Sequence, residues 1–259
     1  MGKIVSIHSF RGGTGKSNIT ANLAAQAAMQ GYKVGIVDTD IQSPGIHVLF
    51  GLDEANMGHT LNDYLHDKCS IEQVAFSIGE HVTQEPGCQK LAGKPIWLIP
   101  SSINSREIAE VLKNGYDVFT LNKGMKSLRK GLNLDYLFID THPGLNEETL
   151  LSFGISDILL IVLRPDQQDF QGTAVTVDIA RSLDVPNLVM VINKALLTRY
   201  DPKQIQKEVE GRFQSTVAGV LPLSEDMADL QSRDIFSLRY PDHQWSKGLT
   251  KVFQYVLEA

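Results

Sequence analysis

Phe10-Arg11-Gly12-Gly13-Thr14-Gly15-Lys16-Ser17 gathers the residue types best suited to holding an anion. The segment sits between an aliphatic run at 4–8 and a small-residue stretch at 17–30 that reads as a helix ended by Gly31. Glycines at this spacing let backbone N–H groups turn inward around phosphate oxygens. The helix start adds donors and a partial positive charge. Lys16 would reach the β- and γ-phosphates of a nucleotide, and the Ser17 hydroxyl would hold Mg²⁺. Three carboxylates accompany this loop. Asp38 and Asp40 stand at the end of the run Val34-Gly35-Ile36-Val37-Asp38, and Asp140 closes Tyr136-Leu137-Phe138-Ile139-Asp140. An acid at such a strand end can hold Mg²⁺ directly or through water. After Asp40, Pro44-Gly45 punctuates a loop expected to be mobile.

These groups need a scaffold that brings strand ends together. Short aliphatic runs predict strands at 4–8, 34–38, 95–99, 136–140, 158–163, 188–193 and 217–221. Helical spacing predicts helices at 17–30, 60–66, 105–112, 119–130, 170–182, 202–213 and 244–257. Near-continuous aliphatic strands are those buried on both faces. Helices between them make the connections right-handed crossovers. The fold class expected is therefore α/β: a doubly wound, mainly parallel sheet flanked by helices, with residues 1–259 forming a single domain. The ligand of such a sheet binds at the carboxyl ends of its strands, where the loop and all three carboxylates fall.

The x-Arg-Gly-Gly-Thr-Gly-Lys-Ser pattern resembles the deviant Walker A loop of the ParA/MinD family of P-loop ATPases, x-Lys-Gly-Gly-x-Gly-Lys-[Ser/Thr]. The resemblance runs from residue 3 to roughly residue 225 and is thin between 51 and 95. It implies ATP and Mg²⁺ as cofactors and ATP hydrolysis as the reaction. Gly12, Gly13, Thr14, Gly15, Lys16 and Ser17 would hold the phosphates, with Ser17 and Asp140 serving the metal. The family's signature Lys crosses an ATP-dependent homodimer interface to the partner's nucleotide. Here that position is Arg11, whose planar fork also suits phosphate. The family's DxD strand end implies that Asp40 orients or activates the attacking water and that Asp38 supports the network near Lys16 and the metal. Asn193 resembles the family's adenine-contacting Asn, and Pro222 the proline of a loop that flanks the base. Thr141-His142-Pro143-Gly144 resembles the family's second switch, which often reads Asp-Thr/Cys-Pro-Pro-Gly. His142 replaces a proline, and no chemistry is assigned to it.

Composition bounds the output of such an ATPase. The chain has 259 residues, 24 Lys+Arg against 30 Asp+Glu, a net charge of -6 and 42% hydrophobic residues, which excludes a disordered chain. Its two cysteines exclude a disulfide framework. The aliphatic run at 158–163 is far below the roughly 20 residues that span a bilayer, and the N-terminus lacks a signal-peptide pattern. The expectation is a cytoplasmic protein, nucleoid-associated if it binds DNA. An acidic whole argues against constitutive nucleic-acid binding but leaves room for a local basic patch. Lys123, Lys126, Arg129 and Lys130 form one, with no acid between Val118 and Leu134. Arg199, Lys203 and Lys207 begin another. Such patches would give weak, non-specific DNA affinity, as in ParA-like proteins. A ParA relative without the signature Lys most resembles the McdA-type ATPases that distribute carboxysomes, which implies a cargo-bound adaptor protein that stimulates hydrolysis. The alternative is a MinD-like ATPase cycling on the membrane through a C-terminal amphipathic helix. Here the last helix ends acidic, so docking on the core is the reading, without stable membrane insertion. Relatives of the nitrogenase iron protein need paired cysteines for a cluster, and Cys69 and Cys88 read as ordinary thiols.

Overall fold

Alternate residues along each strand belong to opposite sheet faces, and both faces here are apolar. The computed structural model describes residues 2–53 and 55–259. Its elements follow in the order β1 Lys3–His8, α1 Lys16–Met29, β2 Val34–Asp38, α2 Ile46–Leu49, α3 Leu61–Leu65, α4 Ile71–Val74, β3 Phe76–Ser77, α5 Pro86–Gln89, β4 Ile96–Ile99, α6 Ser105–Asn114, α7 Val118–Gly131, β5 Tyr136–Asp140, α8 Glu147–Ile155, β6 Ile158–Leu163, α9 Gln167–Ser182, β7 Asn187–Ala195, α10 Pro202–Phe213, β8 Thr216–Pro222, α11 Glu225–Asp229, α12 Phe236–Arg239 and α13 Gln244–Glu258. The strands form one sheet in the order β3-β4-β2-β5-β1-β6-β7-β8. Every pairing is parallel except β3 with β4. The sheet is thus the doubly wound α/β layout that the sequence predicts.

Val5, Ile7, Ile36 and Phe138 face a core shared with α1 and α13. Ile4, Val37, Leu137 and Ile139 face the other side, against α3, α4 and α7. Further along, Leu159, Ile161 and Ile192 pack on α9 and α10. α13 buries Trp245, Leu249, Val252, Phe253 and Val256 in the first of these layers. Its apolar face is therefore used by the core, as expected. Cys88 packs in the α1 layer and Cys69 against the opposite one, both free. Burial beside Asp234 pushes the Cys88 thiol up to about 12, so it stays protonated and inert.

Two kinds of element escape the sequence pattern. β3 is a two-residue antiparallel edge strand, too short to carry a period. The helices α2, α4, α5, α11 and α12 span four or five residues each and follow caps and local packing rather than amphipathic spacing. α8 is longer and starts from a reciprocal pair, Asn146 Oδ1 accepting from the Thr149 amide and Thr149 Oγ1 accepting from the Asn146 amide. Asn146 followed by acids at 147 and 148 is a legible helix start.

The buried face of α13 sets a stability test. Leu249→Ala should cost about 2–5 kcal/mol in urea unfolding. Lys251→Ala, on the exposed face of the same helix, should change stability by less than about 0.5 kcal/mol.

Candidate nucleotide site

The loop after β1 is shaped by glycines that no other residue could replace without strain. Gly13 and Gly15 have φ of 76° and 97°, the left-handed region that glycine enters at no steric cost. A Cβ on Gly15 would also lie 2.5 Å from Asn193 Nδ2. The loop is braced from below and beside. Asn193 Nδ2 donates to the Thr14 carbonyl at 2.8 Å, and Lys194 Nζ to the Gly13 carbonyl at 2.7 Å. Trp245 Nε1 donates to Asn193 Oδ1 at 3.2 Å, so α13 reaches the loop through one amide. Phe10, standing where an ordinary phosphate loop has glycine, lays its ring against α9. A Cβ on Gly172 would sit 2.0 Å from it, so the bulky residue on the loop is matched by its absence on the helix.

Lys16 opens α1 and is buried. Beneath it the ends of β2 and β5 pair in register, Asp38 opposite Asp140. Thr20 Oγ1 donates to Asp140 Oδ1 at 3.2 Å, and the nearby Ser17 also favours the ionised carboxylate. Burial pushes Asp140 up to about 6, against the pull of Lys16, Ser17 and Thr20. Asp38 is raised well above the usual carboxylate range by burial, by Asp140 and by Asp40. Among the described residues no cluster of three His, Cys, Asp or Glu could hold a metal alone. One hydroxyl and one or two buried carboxylates instead fit Mg²⁺, which keeps waters and takes its other ligands from phosphate. The crowded acids are the feature that a divalent cation would relieve.

Two loops lead from these strand ends. Asp38 accepts from the amides of Asp40, Gly45 and Ile46. Its hydrogen bonds therefore hold the 39–45 loop, beside the Asp140 end of the site. Asp40 lies in that loop, where Oδ1 accepts from Ser43 and from His142 Nδ1, the latter at 2.7 Å. His142, given no chemistry from sequence, is thus in direct contact with the expected water-orienting acid. The 141–146 loop also returns to the phosphate loop, with the Gly144 amide donating to the Ser9 carbonyl at 3.1 Å. Glu148, at the start of α8, is raised by burial and accepts the Tyr116 hydroxyl. It lines a cavity together with Thr39, Gln42 and His142. Sequence reasoning missed Glu148 because α8 itself was missed.

Other expected residues lie as follows. Pro222 ends β8 and lines a cavity with Ala195, Leu196, Leu223 and Gln244, beyond the ends of β7 and β8. Asn193 does not line that cavity; its amide donates to the Thr14 carbonyl and accepts from Trp245 Nε1. In this structure the amide braces the phosphate loop. Arg11 is turned back onto its own chain, donating to Gln168 Oε1 and lying 3.8 Å from Asp169. Asp169 also bonds Arg164. The Arg11 side chain remains 40% exposed. Lys123, Lys126 and Lys130 are exposed on one face of α7 beside Phe119, which is 70% exposed. Arg129 is not part of that face. Its Nη1 donates to the Gly2 carbonyl and lies 3.8 Å from Asp157, because the next helical position turns inward. Arg199 and Lys203 are exposed near the start of α10.

The raised Asp140 gives a signed prediction. A carboxyl whose native value lies above its unfolded value contributes stability below the unfolded value, and that contribution is lost as pH rises through about 6. The nucleotide-free chain should therefore lose stability between about pH 4 and pH 6, the window set by the ordinary carboxylate value and the raised one. Asp140→Asn should flatten that slope and raise Tm at pH 7.5 by about 2–4 °C, while weakening Mg²⁺-dependent nucleotide binding. Scanning calorimetry across pH and a nucleotide titration with and without Mg²⁺ check the two halves.

Comparison with known proteins agrees with this geometry. An AAA domain family model (AAA_31) matches residues 2–190. The sporulation initiation inhibitor protein Soj of Bacillus subtilis is 28% identical over 84% of this chain and 82% of its own length. The cell division ATPase MinD of Pyrococcus furiosus superposes with a TM-score of 0.80 at 22% identity, over 100% of this chain and 99% of that one. Apo McdA of Cyanthece gives a TM-score of 0.72 at 19% identity, over 97% and 99%. The chain therefore belongs to the AAA domain family, and its fold is that of the MinD and McdA structures.

Proposed function

We propose that this chain is a ParA-type ATPase that closes into a homodimer on ATP, binds DNA non-specifically in that state and positions an intracellular cargo. The observation that carries the reading is the convergence of the glycine loop, Lys16, Asp140 and Asp40 at neighbouring strand ends, beneath a surface with one separate basic face. Lys16 and the loop amides would hold the phosphates, and Asp40 would place the attacking water. Mg²⁺, bound with ATP through Ser17 and Asp140, would offset charge on the phosphate oxygens. The cavity beside Pro222, lined by both apolar and polar side chains, has the position for the base. Arg11 would reach across the dimer.

The DNA arm rests on α7. Its three lysines project from one face with no acid among them, and pairing two chains would double that face. Phosphate contacts of this kind are salt-dependent and indifferent to sequence. Arg199 and Lys203 would extend the basic surface at the start of α10, while Arg129 is withdrawn from the proposal. The MinD-like alternative draws on the high structural similarity to MinD, but it needs an apolar helix face free for lipid. The α13 face is buried in the core, and among the described residues no helix is long and apolar enough to cross a membrane. Cargo follows from the loop: Arg in place of the signature Lys favours a carboxysome-type cargo, with an adaptor that stimulates hydrolysis. Localisation would then be cytoplasmic and nucleoid-associated.

Gel shift on random duplexes tests the output. With ATP at low salt the chain should retard DNA, with ADP much less. Replacing Lys123, Lys126 and Lys130 together by Glu should abolish the shift while leaving nucleotide binding intact. Equal retardation in all nucleotide states, or none in any, would count against the proposal.

A further inference from the structure

The two loops beyond β2 and β5 are brought face to face by the sheet register. Asp38 pairs with Asp140. Two residues further along each chain segment stand Asp40 and His142. Their side chains meet at 2.7 Å, with His142 Nδ1 donating to Asp40 Oδ1. That oxygen also accepts from the amide and hydroxyl of Ser43, at 3.2 and 3.1 Å. All three bonds converge on Oδ1. Oδ2 has no hydrogen-bond partner among the described residues.

We infer that His142 is a positioning residue for hydrolysis, fixing the Asp40 carboxylate so that Oδ2 is presented to the attacking water. The inference rests on the ATPase reading above and adds a residue to it. A carboxylate in a surface loop samples several rotamers, and each one away from the water lowers the fraction of productive encounters. The bonds from Ser43 are local to the same loop and move with it. Only the His142 bond ties Asp40 to a different strand end. Because the 141–146 loop is itself anchored to the phosphate loop through Gly144 and Ser9, the tie refers Asp40 to the loop that would hold the γ-phosphate. A proline at position 142 could accept no such task, having no side-chain donor. The His142 ring is partly buried and lines the cavity shared with Thr39 and Glu148, so its orientation is restricted from the side away from Asp40.

The test separates positioning from mere packing. His142→Ala removes the donor, whereas His142→Asn keeps an N–H at nearly the position of Nδ1. Single-turnover hydrolysis of bound ATP and the affinity for a fluorescent ATP analogue are measured for both variants and the unsubstituted chain. His142→Ala should slow hydrolysis about tenfold or more with affinity changed less than about twofold, since only the orientation of a reacting group is lost. His142→Asn should recover the rate to within about threefold, because the donor is restored. Unchanged hydrolysis in His142→Ala overturns the inference alone. So does a loss of affinity matching the loss of rate, or an Asn variant no faster than Ala. An unsubstituted chain that binds the analogue but never cleaves ATP, with DNA present or absent, overturns the ATPase reading and the inference together.

Discussion

Two carboxylates buried side by side govern this molecule. Asp38 and Asp140 end adjacent parallel strands in register, and burial with like charge raises both. Ionised together without compensation they would be costly. Everything around them reads as partial compensation: Lys16 above, hydroxyls of Ser17 and Thr20 beside Asp140, and backbone amides of the 39–45 loop around Asp38. The arrangement is stable enough to fold and unsatisfied enough to favour a cation. A site of this kind gives up apo stability for ligand affinity.

The same strand ends launch the parts expected to move. The 39–45 loop is held through Asp38, the 141–146 loop through Gly144, and the two meet at Asp40 and His142. A phosphate arriving between Lys16 and these loops would contact the glycine loop first and the acids through its metal. Changes at the nucleotide would therefore reach both loops by short, named hydrogen bonds. Arg11, parked on Gln168 and Asp169, is the remaining polar group whose present partners and proposed role differ.

Much of this was legible in the sequence, for a physical reason. Aliphatic strands buried on both faces, a glycine loop before a helix and acids at strand ends are local patterns, and local patterns survive in a linear reading. Seven of the strands and the long helices follow from them. What was not legible depends on non-local geometry. Nothing in the residues near Asn193 says that Trp245 and Thr14 will bond the two ends of its amide. Arg129 differs from Lys130 by one helical step, and only packing decides that it turns inward. His142 stood out as a departure from the resembling pattern, but its contact with Asp40 requires the register of β2 on β5. α8 was missed although its Asn146–Thr149 start was readable, and Glu148 was lost with it.

The central claim is that the glycine loop and the two loops beyond β2 and β5 form one nucleotide-responsive site. Hydrogen–deuterium exchange with and without Mg²⁺ and a non-hydrolysable ATP analogue tests it most directly. The account predicts new protection at 12–17, 39–46 and 141–146 together, absent when Mg²⁺ is withheld from the two carboxylate-linked loops. Protection confined to another face of the sheet, or no change at the glycine loop at saturating analogue, would contradict it.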